Sequence, residues 1–79
     1  MTVEACIAFA CASLAVSEVA ALSERLTERG RSEILELLVE LDASHSRLRV
    51  LFASEADDEV CGLALSILVL ADCLTSSLE

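Results

Sequence analysis

Four cysteines and one histidine are the residues of this 79-residue chain with the most distinctive chemistry. Cys6, Cys11, Cys61 and Cys73 show none of the close paired spacings of a zinc module. All four stand inside apolar stretches, where cysteine behaves as a small hydrophobe, so reduced, buried thiols are expected. His45 falls on an apolar helical stripe. If the helices alternate direction, a rise of about 1.5 Å per residue sets His45 about 10 Å above one end of the molecule, level with Cys11 and Cys61. Thiolates and an imidazole suit a tetrahedral zinc ion, which makes Cys11, His45 and Cys61 the candidate ligands. Projection at about 100° per residue separates these groups: Cys6 and Cys11 point about 140° apart, and Cys61 lies off the core stripe. The sequence therefore assigns no metal and no other cofactor, and a Cys/His metal-binding or thiol-sensing bundle remains the alternative reading.

Other catalytic patterns are missing from the sequence. There is no Gly-rich phosphate loop and no histidine pair at metal spacing. A Cys–His nucleophile would need a lowered thiol pKa, a cleft and an orienting group, none of which the sequence marks. The segment Ala43-Ser44-His45-Ser46-Arg47-Leu48-Arg49 resembles the histidine phosphotransfer domains in setting a histidine beside basic residues, but it lacks the Lys-Gly that follows the histidine there. No residue role is carried over, and a non-enzyme is expected.

The elements that would hold these residues are helices. The chain has no Pro, Trp or Tyr and only two Gly, and 56% of it is hydrophobic. Thr2 suits an N-cap, and Ala5, Ala8, Ala12, Ala15, Val19, Leu22 and Leu26 follow at spacings of three and four, a heptad seam. Ile7, Phe9, Cys11, Leu14 and Val16 widen the apolar surface around its first half. Gly30 reads as the C-terminal stop and Ser32 as the next cap. In the second helix Ile34, Leu38, Leu41, His45, Leu48 and Phe52 form the core stripe, with Leu37 and Leu51 beside it. A weaker outer line of Leu35, Val39, Ala43 and Val50 has no use in a monomer. Ser54-Glu55-Ala56-Asp57 matches a capping box. The third helix carries a core stripe of Val60, Leu63, Ile67, Leu70 and Leu74 and a second line of Cys61, Leu65 and Leu68. The fold expected is all-α, one domain over residues 1–79, an up-down-up three-helix bundle with helices at about 3–29, 32–53 and 55–76. It is expected to pair as a homodimer through helices 1 and 3, using Ala5, Ala8, Ala12, Cys61, Leu65 and Leu68.

Charge and hydropathy bound the function. Fourteen acids against five Arg give a net charge of −9, which disfavours direct nucleic-acid binding. The longest charge-free runs are residues 5–17 and 60–71, thirteen and twelve residues. Both fall short of the roughly 18 needed to cross a bilayer. Glu4 also stands where a signal peptide needs a basic start, so a cytoplasmic protein without a membrane partner is expected. A mean hydropathy of +0.68 exceeds what a core of this size can hide. The expected partners are a second copy and a basic protein, met by acidic patches of Glu33, Glu36 and Glu40 and of Glu55, Asp57, Asp58 and Glu59. The reading is a small acidic inhibitor, adaptor or chaperone-like regulator that occludes a basic surface. Inhibitors encoded by phage and mobile elements, anti-CRISPR proteins among them, are similar in size and charge. A structural subunit of a larger assembly, or a designed bundle, is the second alternative.

Overall fold

The computed structural model describes residues 2–78. They form four helices and no strand: α1 (Val3–Ser23), α2 (Glu28–Glu33), α3 (Leu35–Ala53) and α4 (Asp57–Leu78). Thr2 caps α1 as its sequence position implies, its Oγ1 accepting the Ala5 N–H at 3.1 Å.

The first turn departs from expectation. Helix α1 stops at Ser23, not near residue 29, because other groups take over its last carbonyls. The Arg31 guanidinium donates to the Ser23 and Glu24 carbonyls, each at 3.4 Å, and the Ser23 hydroxyl donates to Ala20. These bonds satisfy acceptors that a helix end leaves open. Thr27 then caps the short α2, its Oγ1 accepting from Gly30 N–H at 3.2 Å. Gly30 is thus inside a helix with an ordinary φ, not a left-handed stop. Ser32 is inside it too, its hydroxyl donating to Glu28. Helix α3 follows through Ile34, without a side-chain cap.

The expected capping box at Ser54 does not form either. Ser54 ends α3 and its hydroxyl donates back to Val50 at 2.9 Å. Glu55 takes a left-handed φ of 58°. Around it, Ala56 N–H reaches Leu51 O and Glu55 N–H reaches Phe52 O, both at 3.1 Å. That pair of bonds is the Schellman motif, which closes a helix on a left-handed residue. Asp57, Asp58 and Glu59 still occupy the first turn of α4, where the helix dipole favours acids.

Helices α1 and α4 pack most closely. Ala5, Ala12 and Val19 of α1 and Val60, Ala64, Ile67, Ala71 and Leu74 of α4 are all at most 3% exposed. Alanines on both sides let the two backbones approach. The buried line of α4 is rotated by roughly 40° from the stripe read in the sequence: Ala64 and Ala71 are inside, while Leu63 and Leu70 are half-buried against the core. Leu41 and Leu48 of α3 complete the buried set, flanked by Ile34, Leu38, Leu51 and Phe52. Leu37 is largely exposed instead of flanking it.

Register comes from a few specific contacts. The Thr2 amide donates to Asp57 Oδ2 at 2.8 Å, which brings the starts of α1 and α4 together. Phe9 stacks on Phe52 with ring centroids 4.2 Å apart, and Ser13 meets His45 one turn further along. Ascending residues on α1 therefore face descending residues on α3. Two core substitutions follow from this packing. Leu48→Ala, which empties a side chain at 0% exposure, is expected to cost about 2–5 kcal/mol. Ala12→Leu, which overfills the α1–α4 contact, is expected to cost about 1–3 kcal/mol. Urea denaturation with unchanged slope and a lowered midpoint is the measurement for both.

Candidate interaction surface

A polar pair of side chains between α1 and α3 is His45 with Ser13. Ser13 Oγ and His45 Nε2 share a hydrogen bond of 3.0 Å, and the imidazole lies beside the Phe9 ring, centroids 6.4 Å apart. A serine hydroxyl on an imidazole is the beginning of a nucleophile–base pair. Both residues stand inside long helices, however, where backbone N–H groups are already used in helix bonds. Those N–H groups therefore do not serve as oxyanion donors for the pair. What the bond does is satisfy two half-buried polar groups and hold α1 and α3 in register. Ser13 was not legible as the partner of His45 until the helix register was known.

The cysteines are not buried as expected: Cys6, Cys11 and Cys73 are exposed and Cys61 is half-buried, all as free thiols. Alanine takes the seam positions because a close helix contact needs the smaller side chain, and this turns the cysteines outward. Cys11, His45 and Cys61 do not come together. Among the described residues no group of three or more His, Cys, Asp or Glu side chains is placed to hold a metal ion.

The acidic residues form two groups. Glu33, Glu36 and Glu40 lie at the α2–α3 end, and Glu55, Asp57, Asp58 and Glu59 at the other, roughly 30 Å away along α3. The first group is mixed with base: Arg29 approaches Glu33 at 3.9 Å, both well exposed, and Arg31 is close by. In the second, Asp57 is half-buried and engaged with the Thr2 amide. Its Oδ1 is a buried oxygen without a partner in the structure. Glu55, Asp58 and Glu59 are exposed there.

The residues expected to pair two copies are also redistributed. Ala5 and Ala12 are at 0% exposure and Ala8 is half-buried, so α4 of the same chain already occupies the alanine seam. Leu65 is exposed as anticipated, whereas Cys61 and Leu68 are half-buried. The outer face of α4 is drawn instead by Gly62, Leu65, Val69 and Cys73. On α1, Val3, Ile7, Ala10, Leu14, Ser17 and Ala21 form an exposed row without a charge. On α3, the outer line of Leu35, Val39, Ala43 and Val50 is exposed. Each long helix thus carries an apolar row opposite its core face.

Helices α1 and α4 are also long and apolar enough to cross a membrane by length and composition. Their best 18-residue windows have mean hydropathies of 2.0 and 1.9, and only 17% and 28% of those windows are buried. Neither helix holds a charge-free run of spanning length, but a window that admits one or two charges reaches it. The surface also holds two grooves. One of about 350 Å³ lies between α3 and α4, lined by Arg47, Leu51, Glu59, Gly62, Leu63 and Ser66. The other, about 170 Å³, lies between α1 and α3 beside Val16, Val19, Leu38, Leu41 and Asp42.

No protein-family model matches the chain, and comparison with curated proteins and with solved structures finds no similar one. Thiol labelling tests the surface directly. Under native conditions Cys6, Cys11 and Cys73 are expected to react with iodoacetamide at least several-fold faster than Cys61, read by peptide mass spectrometry; equal rates would contradict this arrangement.

Proposed function

We propose that the chain is a small, non-enzymatic interaction module, a three-helix up-down-up unit that associates with itself and covers a surface on a protein partner. The observation that carries this reading is the set of large apolar side chains left outside. Val3, Ile7, Leu14, Leu35, Leu37, Val39, Val50, Leu65 and Val69 are each more than 40% exposed, and most fall in helical rows. Single exposed apolar residues are ordinary, whereas contiguous rows mark contact surfaces. The total accessible area agrees, at 5184 Å² against about 4,600 Å² for a compact monomer of this mass. The two acidic ends serve as steering groups toward a basic partner surface rather than as one contact patch. The module is read as cytoplasmic, its thiols reduced.

A membrane protein is the second reading, favoured by the hydropathy of α1 and α4. Its difficulty is topological. With the starts of α1 and α4 at one end, both could span only if α3 crossed between them in the opposite direction. Helix α3 would bring Glu36, Glu40, Asp42, Arg47 and Arg49 with it. Charged residues cost about 2.5–3.5 kcal/mol each at a bilayer centre. A chain that sediments with membranes and resists alkaline extraction would replace the interaction reading with this one.

Light scattering over a range of concentrations tests the self-association. The expected mass exceeds the single-chain 8.4 kDa, and a chain that stays monomeric at all concentrations would remove that part of the reading. Steering is tested separately. The paired reversals Glu36→Lys/Glu40→Lys and Asp58→Lys/Glu59→Lys are expected to slow association with a basic partner by about tenfold at low salt; rates equal to wild type would exclude it.

A further inference from the structure

We propose that the groove between α3 and α4 is where two copies of this chain meet, by a two-fold contact in which Arg47 of each pairs with Glu59 of the other. This rests on the self-association proposed above and adds the place and chemistry of the contact. The first observation is electrostatic. Arg47 and Glu59 line one groove of about 350 Å³, both are exposed, and among the described residues neither has an ion-pair or hydrogen-bond partner. A patch holding one free charge of each sign is complementary to itself. A two-fold axis midway between the two residues places each beside its opposite in the other copy. A uniformly basic or acidic partner would satisfy one of them and oppose the other.

The second observation is Gly62. It lies mid-helix with an ordinary φ, and a Cβ added there would meet no atom within 4 Å. Neither the backbone nor the packing of this chain calls for glycine, which a helix tolerates at a cost in stability. A glycine lining the groove does let another backbone approach closely. Leu51 and Leu63, half-buried in the same groove, and the exposed Val50 and Val69 on its two helices supply apolar area. On a chain of net charge −9, the contact uses one of the few positive side chains to offset repulsion between copies.

Sedimentation equilibrium on the full chain, with circular dichroism to verify folding, tests this. Arg47→Glu and Glu59→Arg are each expected to weaken dimerisation by about tenfold or more, and the double variant Arg47→Glu/Glu59→Arg to restore it to within about threefold of wild type. Gly62→Leu, whose Cβ would meet no atom of the protomer within 4 Å, is expected to weaken it as well. A wild-type dimer whose affinity is the same in all four variants would overturn this interface and leave the self-association standing. A wild-type monomer would overturn both.

Discussion

The close contact of α1 with α4 is the constraint on which the rest of the structure depends. Four of its buried residues, Ala5, Ala12, Ala64 and Ala71, are alanines, so the two backbones lie near each other and at those positions the space between them admits no large side chain. Such a seam gains its stability from dispersion and exclusion of water along a line rather than from a thick core. Its consequence is quantitative. Among the described residues only a few large ones, Leu41, Leu48, Ile67, Leu74, Val19 and Val60, fill the interior, and the other leucines, isoleucines and valines lie partly or wholly outside.

That displacement links packing to the proposed function. A seam of alanine spends the helices' inward faces on small side chains, which turns Ile7, Leu14, Leu65 and Val69 outward. The molecule is correspondingly long, 41 × 18 × 15 Å, and presents apolar rows on several sides. Net acidity sets copies of such a surface against one another by mutual repulsion. Any association must work against the same repulsion, so positions where Arg47 stands free near an acid gain importance beyond their number. Polar bonds do the complementary work of fixing how the helices are set: Thr2 to Asp57 at one end, Ser13 to His45 in the middle, Arg31 over the end of α1 at the other. The bonds at Ser13–His45 and Arg31–Ser23 are part-buried and satisfy groups that would otherwise lose hydrogen bonds on burial.

Helices, core stripes and the outer line of α3 were legible because they depend on periodicity, and periodicity is local. Thr2 as a cap, Leu41 and Leu48 as core, and Leu35, Val39 and Val50 as surplus apolar residues could all be read directly. The turns were not. Ser54-Glu55-Ala56-Asp57 has the letters of a capping box, yet Glu55 enters the left-handed region and the segment closes α3 instead. Gly30 has the identity of a helix stop and lies within one. In both places the deciding bonds involve backbone groups or an arginine several residues away, which a short motif does not encode. The cysteines failed for a related reason: apolar surroundings in sequence predicted burial, but the alanine seam decided which direction is inward.

Composition and spacing by themselves determined that this chain is helical, acidic and richer in apolar side chains than so small a protein can bury, because these properties add up residue by residue. Only the tertiary structure decided which alanines meet, that His45 bonds Ser13, and that Arg47, Glu59 and Gly62 share a groove. Those outcomes depend on the relative rotation and register of helices distant in sequence. A turn of a few tens of degrees about one helix axis exchanges core for surface while leaving every local pattern unchanged.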